Sequence, residues 1–185
     1  MDLRAGARLI VPLVILAVAA IGLMAVSACA CVASPPPAGE SAWREHLQAT
    51  DAALAERNPS RAARVWQEAR SAALRSGAWN ALVEVGDASL RIGELAAARG
   101  GARAEARGLY LRALFQARAQ GSLDGVLRVT DAFAGLGEHD VVERGLRVAR
   151  QLAAAQGPAA WDRVREATIR LGARHSLART TDTIL

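Results

Sequence analysis

From Ser41 to the end of the chain, apolar residues recur at spacings of three and four, and no segment alternates with a period of two. That period belongs to amphipathic helices and excludes a sheet core, so the fold class is all-α. Residues 126–149 show the unit most plainly. Val126, Val129, Phe133 and Leu136 share one helical face, and Gly137 then offers a left-handed stop. Asp140 and Glu143 stand at capping-box spacing before a second face of Val142, Leu146 and Ala149. A hairpin this small cannot bury both faces alone, so it must stack on similar pairs.

The same punctuation divides the rest. Helices are expected over residues 42–57, with Trp43, Leu47, Thr50 and Leu54 inward, and 61–75, with Ala62, Trp66, Ala69 and Ala73 inward. Asn58-Pro59-Ser60 separates them and Gly77 ends the second. A third is expected over 78–92, with Leu82, Val85, Ser89 and Ile92 inward and Gly93 as its stop. Gly100-Gly101 should break the next segment, leaving a helix over about 102–119. Helices over 123–136 and 140–155 follow. Pro158 then opens a last one over 158–171, with Trp161, Val164, Thr168 and Leu171 inward and Gly172 as its stop. The domain spans 42–172, and residues 173–185 form a flexible polar tail.

The stops at Asn58, Gly93, Gly137 and Gly172 are 35, 44 and 35 residues apart. The second helices carry Ala62-Trp66-Ala69, Ala106-Tyr110-Ala113 and Val142-Leu146-Ala149, each a triplet at spacing four then three. Period and triplet resemble the tetratricopeptide repeat, and Trp161, Val164 and Leu171-Gly172 match that family's helix-opening positions. The resemblance implies about three helix pairs and a closing helix over residues 43–172. No repeat keeps the full signature, and a generic helical bundle is the other reading. The four tryptophans are expected in the core or between repeats, although Trp79, at a repeat boundary, could face a groove.

Before the domain, Arg4 and Arg8 precede an uncharged, mostly apolar run from Leu9 to Val26, the pattern of a targeting segment. Val26-Ser27-Ala28-Cys29 follows directly and resembles the lipobox of bacterial lipoproteins. The resemblance implies a signal peptide over 1–28, cleavage before Cys29 and acylation of that residue with diacylglyceryl and a palmitate-type chain. Ala30 after it implies the outer membrane. Two alternatives stand: the 18-residue run is close to spanning length and could be an uncleaved anchor, and Ala28-Cys29-Ala30 also fits ordinary signal cleavage. Residues 29–41, with Pro35-Pro36-Pro37, read as a linker reaching roughly 30–40 Å at ~3.1 Å per residue. Cys31 reads as a passenger thiol, because a one-residue spacing from Cys29 is too tight for an easy disulfide.

All 23 basic residues are arginine. Acidic residues appear interspersed along the helices, and the balance is most basic from Arg144 to Arg179. Such a patch suits an acidic partner or anionic lipid, but a solvated helix face explains it more simply. Aromatics are not interleaved with the arginines as a base-stacking surface needs, so no nucleic-acid partner is expected. His46, His139 and His175 stand apart, with no metal-ligand spacing, and no nucleophile or phosphate-loop motif occurs. The expectation is a non-enzyme without cofactor, metal or small-molecule substrate.

The combined resemblances imply a lipid-anchored cell-envelope scaffold facing the periplasm, which binds a protein or peptide. The alternative is a signal-anchored accessory subunit of an envelope enzyme or secretion complex. In the tetratricopeptide family the first helix of each pair lines the groove. That implies Asn80, Glu84, Asp87 and Arg91 in one repeat, Asp124, Arg128 and Asp131 in the next, and Arg163, Glu166 and Arg170 in the closing helix. A double substitution of Asp87 and Asp131 by alanine is expected to lose the partner and keep the fold.

Overall fold

The computed structural model describes the backbone of residues 38–182 and the side chains of 42–173. The targeting segment, Cys29 and most of the linker lie outside the described residues. Among the described residues seven helices run in order: α1 Ala38–Ala55, α2 Pro59–Ser76, α3 Trp79–Leu95, α4 Arg99–Ala119, α5 Leu123–Gly135, α6 His139–Gln156 and α7 Pro158–Asp182. Among the described residues there is no strand. Contacts are most extensive within the pairs α1–α2, α3–α4 and α5–α6. Each pair also packs on the next, and the odd-numbered helices touch in succession, α1 on α3, α3 on α5 and α5 on α7.

The helix ends follow from local chemistry. Asn58 caps α2 by accepting the Arg61 N–H at 3.0 Å, with Pro59 in the first turn where no N–H is missed. Ser122 caps α5 through the Gly125 N–H at 3.1 Å. Within each pair the first helix closes identically. The N–H groups of Asn58, Ala98 and Glu138 donate to the carbonyls of Ala53, Gly93 and Phe133, five residues back. The residue before each donor, Arg57, Ala97 and Gly137, has a left-handed backbone. These three turns are 40 residues apart in both intervals, an even period in place of the expected 35, 44 and 35.

That regularity corrects several boundaries. Gly93 is not a stop: α3 continues to Leu95, and Gly93 lies buried inside it. A Cβ there would sit 2.2 Å from the Ala102 Cβ, so the glycine serves a close crossing with α4. Gly100 and Gly101 do not break α4 but form its first turn; a glycine costs a helix only ~1 kcal/mol, which packing overrides. The capping box at Asp140 and Glu143 does not form. The helix starts at His139, so Asp140 is already inside its first turn, where its charge still suits the helix dipole. Gly172 is passed as well, and α7 continues helical to Asp182.

The core is small-sided. Ala62, Trp66 and Ala69, Ala106, Tyr110 and Ala113, and Leu146 and Ala149 are all buried, with Val142 half-buried. The Trp66 indole donates to the Val85 carbonyl at 2.8 Å, pinning α2 to α3. Tyr110 packs over Gly86, where a Cβ would meet the ring at 2.5 Å, and its edge meets Phe133 with centroids 5.8 Å apart. Trp79 lies half-buried against Gly125, not in a groove. Leu54 and Ile92 are only half-buried, while Ala53 beside Leu54 is fully buried. Trp161 is a clear miss: it is 44% exposed, and α7 turns Ala160, Val164, Ala167 and Leu171 inward. That stripe is one residue out of phase with the expected one at its start, and the bulk of Trp161 gives no guide to its facing.

Two packed groups result. The larger spans α1 to α6 around Trp43, Trp66, Val85, Tyr110 and Phe133; the smaller joins α4 to α7 around Val126, Ala149 and Val164. Gln120 donates to the Gly77 carbonyl at 3.2 Å and Gln156 to that of Gly121 at 2.9 Å, tying the end of one even helix to the turn before it in the preceding pair.

Candidate functional site

The charged residues expected on α3, α5 and α7 do come to one side, but they come paired. Arg91 on α3 reaches back to Asp51 on α1 at 2.8 Å. Arg128 on α5 reaches back to Asp87 on α3 at 2.5 Å. Arg163 on α7 reaches back to Asp124 on α5. The odd helices are therefore cross-linked by a ladder of three Asp–Arg rungs. Each rung is partly exposed and individually worth ~0–1 kcal/mol. Its main effect is to fix the lateral register of neighbouring helices.

Asp87 does more than line a face. Half-buried, it also accepts the Tyr110 hydroxyl at 2.5 Å, joining α3, α4 and α5 through one carboxylate. Burial, and then this hydrogen bond, hold the Tyr110 phenol far above its ordinary pKa, so it stays a donor. The alanine substitution of Asp87 expected to spare the fold would strand that hydroxyl, which costs ~1–3 kcal/mol. Asp87 is a packing residue as much as a surface one.

Glu84, one turn earlier, sits beside this network. Burial pushes its carboxyl above the ordinary value of 4.5; Arg44 and Arg128 oppose the shift, while Asp87 and Asp51 add to it. Its charge is thus poorly accommodated by the folded chain alone. Asn80 is half-buried in the first turn of α3.

Six of the ten expected residues converge between α5 and α7. Asp124, Arg128, Asp131, Arg163, Glu166 and Arg170 line an open cleft of about 280 Å³, with Leu127 contributing an apolar wall. Arg170 and Glu166 face each other at 3.8 Å. Asn80, Glu84, Asp87 and Arg91 do not line this cleft. Leu127 went unselected in the sequence because it sits out of phase with the core residues Val126 and Val129. That same phase, between Asp124 and Asp131, is the signal that could have found it.

A second cavity, of about 270 Å³, was not foreseen. It lies among α2, α3 and α4 and is almost wholly apolar, lined by Trp66, Ile92 and small residues including Gly93, Gly101 and Ala102. It exists because the Gly93–Ala102 crossing brings two backbones close and leaves no large side chain to fill the flank.

The two histidines whose side chains are described do not come together. His46 pairs with Glu68 at 3.2 Å, joining α1 to α2, and His139 opens α6. Among the described residues there is no group of three or more His, Cys, Asp or Glu side chains able to hold a metal. No helix among the described residues is long and apolar enough to cross a membrane. No protein-family model matches the chain, and no curated protein sequence matches it.

Proposed function

We propose that the chain is a lipid-anchored scaffold of the cell envelope, probed by its partner on the side formed by α1, α3, α5 and α7. On this reading the helix pairs form a degenerate tetratricopeptide-like array, closed by α7, that holds an extended protein or peptide segment without making or breaking bonds. The carrying observation is the α5–α7 cleft. It gathers acids, arginines and one leucine wall in an open trough, the mixture that an extended chain with charged side chains and termini can use. The repeated contacts between odd helices and the even 40-residue turn spacing support the array reading. Anchoring rests on the targeting run and Cys29, with the domain held by the proline linker.

Two measurements test it. The intact mass of the membrane-extracted protein, with and without Cys29→Ala, should show a chain beginning at Cys29 with added acyl mass that the variant lacks. An uncleaved chain unchanged by the substitution means a signal anchor, and the accessory-subunit reading then replaces the lipoprotein one. For the cleft, a Glu166→Arg variant, whose side chain is 77% exposed, should lose partner crosslinking while keeping its helicity and melting temperature. Undiminished crosslinking in that variant removes the cleft from the binding site.

A further inference from the structure

Charge divides by helix parity. The even helices α2, α4 and α6 carry twelve arginines against four acids; α1, α3 and α5 carry three arginines against eight acids. The division is sharper in pairing than in number. Among the arginines whose side chains are described, each one on α3, α5 and α7 faces a carboxylate. Eight arginines on the even helices are exposed and have no hydrogen-bond or ion-pair partner among the described residues, including Arg64, Arg112, Arg118, Arg144, Arg147 and Arg150.

These side chains lie away from the buried stripes of their helices. On α4 the inward stripe is Ala106, Leu109, Tyr110, Ala113 and Ala117. Phe115 falls opposite that stripe and is 65% exposed, with Arg112 one turn before it and Arg118 one turn after. Open clefts separate the even helices, about 300 Å³ between α2 and α4 and about 360 Å³ between α4 and α6. An exposed apolar ring on a surface that carries unpaired guanidinium groups is the composition of a surface that meets an anionic lipid interface.

We propose that the outward surface of α2, α4 and α6 docks on an anionic phospholipid membrane, its arginines meeting headgroup phosphates and Phe115 entering the acyl boundary. The inference draws on the anchored reading in one respect: the anchor, acylated Cys29 or an uncleaved run from Leu9 to Val26, and the proline linker bring this domain to a bilayer. A nucleic acid fits less well. It needs a continuous track with several stacking platforms, whereas this surface spreads its charge over three helices and offers a single exposed ring.

The test uses a fragment of residues 36–185, a compact unit that contains both packed groups. Sedimentation with vesicles of phosphatidylcholine alone and with phosphatidylglycerol added should show binding only to the anionic vesicles, weakening as salt rises. The triple variant R144Q/R147Q/R150Q should bind about a hundredfold more weakly, at roughly fivefold per arginine. Phe115→Ala should lose about tenfold. Arg91→Gln, which removes one equal charge from the odd side, should change binding little. Equal binding to both vesicle types, an equal loss per charge in Arg91→Gln, or tighter binding to single-stranded RNA than to vesicles overturns the proposal. As a second readout, the full chain anchored in the same two vesicle types is labelled by hydroxyl radicals. Slower labelling of Phe115 in the anionic vesicles supports docking, and equal rates overturn it. The sedimentation readout uses a fragment without the anchor and so does not depend on acylation of Cys29, which keeps failure of the lipoprotein reading and failure of membrane docking separately visible.

Discussion

At the scale of single residues, the most informative side chain is Glu84. Its carboxyl is pushed up from 4.5 by burial, with Asp87 and Asp51 adding to the effect. The folded chain therefore holds that proton more tightly than the unfolded chain does. Stability from this site is fully present below pH 4.5 and is lost as pH rises through the raised value. Glu84→Gln removes the penalty. Melting curves of the two proteins should coincide in acid and separate toward neutral pH, with the variant melting higher; a constant difference across that range would refute the assignment. Neighbouring positions show why one-letter reading goes only so far. Gly86, Gly93 and Gly145 sit inside helices because another element occupies the space of their Cβ: the Tyr110 ring, the Ala102 methyl and the Thr130 hydroxyl. Gly93 reads in the sequence like a terminator, yet it is a crossing point. Nothing local distinguishes the two, since the neighbour that decides it lies elsewhere in the chain.

Among elements, the three closing turns at Arg57, Ala97 and Gly137 form a controlled comparison. All three residues are left-handed, but only Gly137 has no Cβ to strain. Ala97→Gly should stabilise the domain by up to ~1 kcal/mol, and Gly137→Ala, which meets no steric neighbour, should cost about the same. Urea midpoints measured on both variants check the pair, and a shift of the same sign in both would contradict it. These turns also explain what was legible. The buried triplets of the even helices came through from spacing alone, because burial of a small-large-small stripe leaves a period in the sequence. The turns did not, because a residue such as Arg57 or Ala97 gives no sign of a positive φ. The stop-to-stop count therefore gave 35, 44 and 35 where the backbone repeats at 40. Six of the positions named from their spacing gather at the α5–α7 cleft. The pairing into Asp–Arg rungs was not legible, since each rung joins residues about 40 apart.

Across the whole molecule, packing is uneven. The group spanning α1 to α6 contains two tryptophans, a tyrosine and a phenylalanine, whereas the group reaching α7 is mostly alanine and valine. Helix α7 is held on one side by α5 and α6, and its Trp161 and Ile169 are 44% and 68% exposed. Less apolar area removed from water means a smaller opening free energy. Amide hydrogen exchange should therefore be faster through residues 160–171 than through α3, and uniform protection would show that the molecule opens only as one unit.

The alternation of charge between successive helices also bears on how copies of the chain meet one another. An acidic helix is followed by a basic one, then acidic, then basic, through the three pairs. Stacking two even helices of separate copies face to face would set unpaired arginine against arginine. Like charges would repel at that contact, so the alternation disfavours joining of copies through their basic sides.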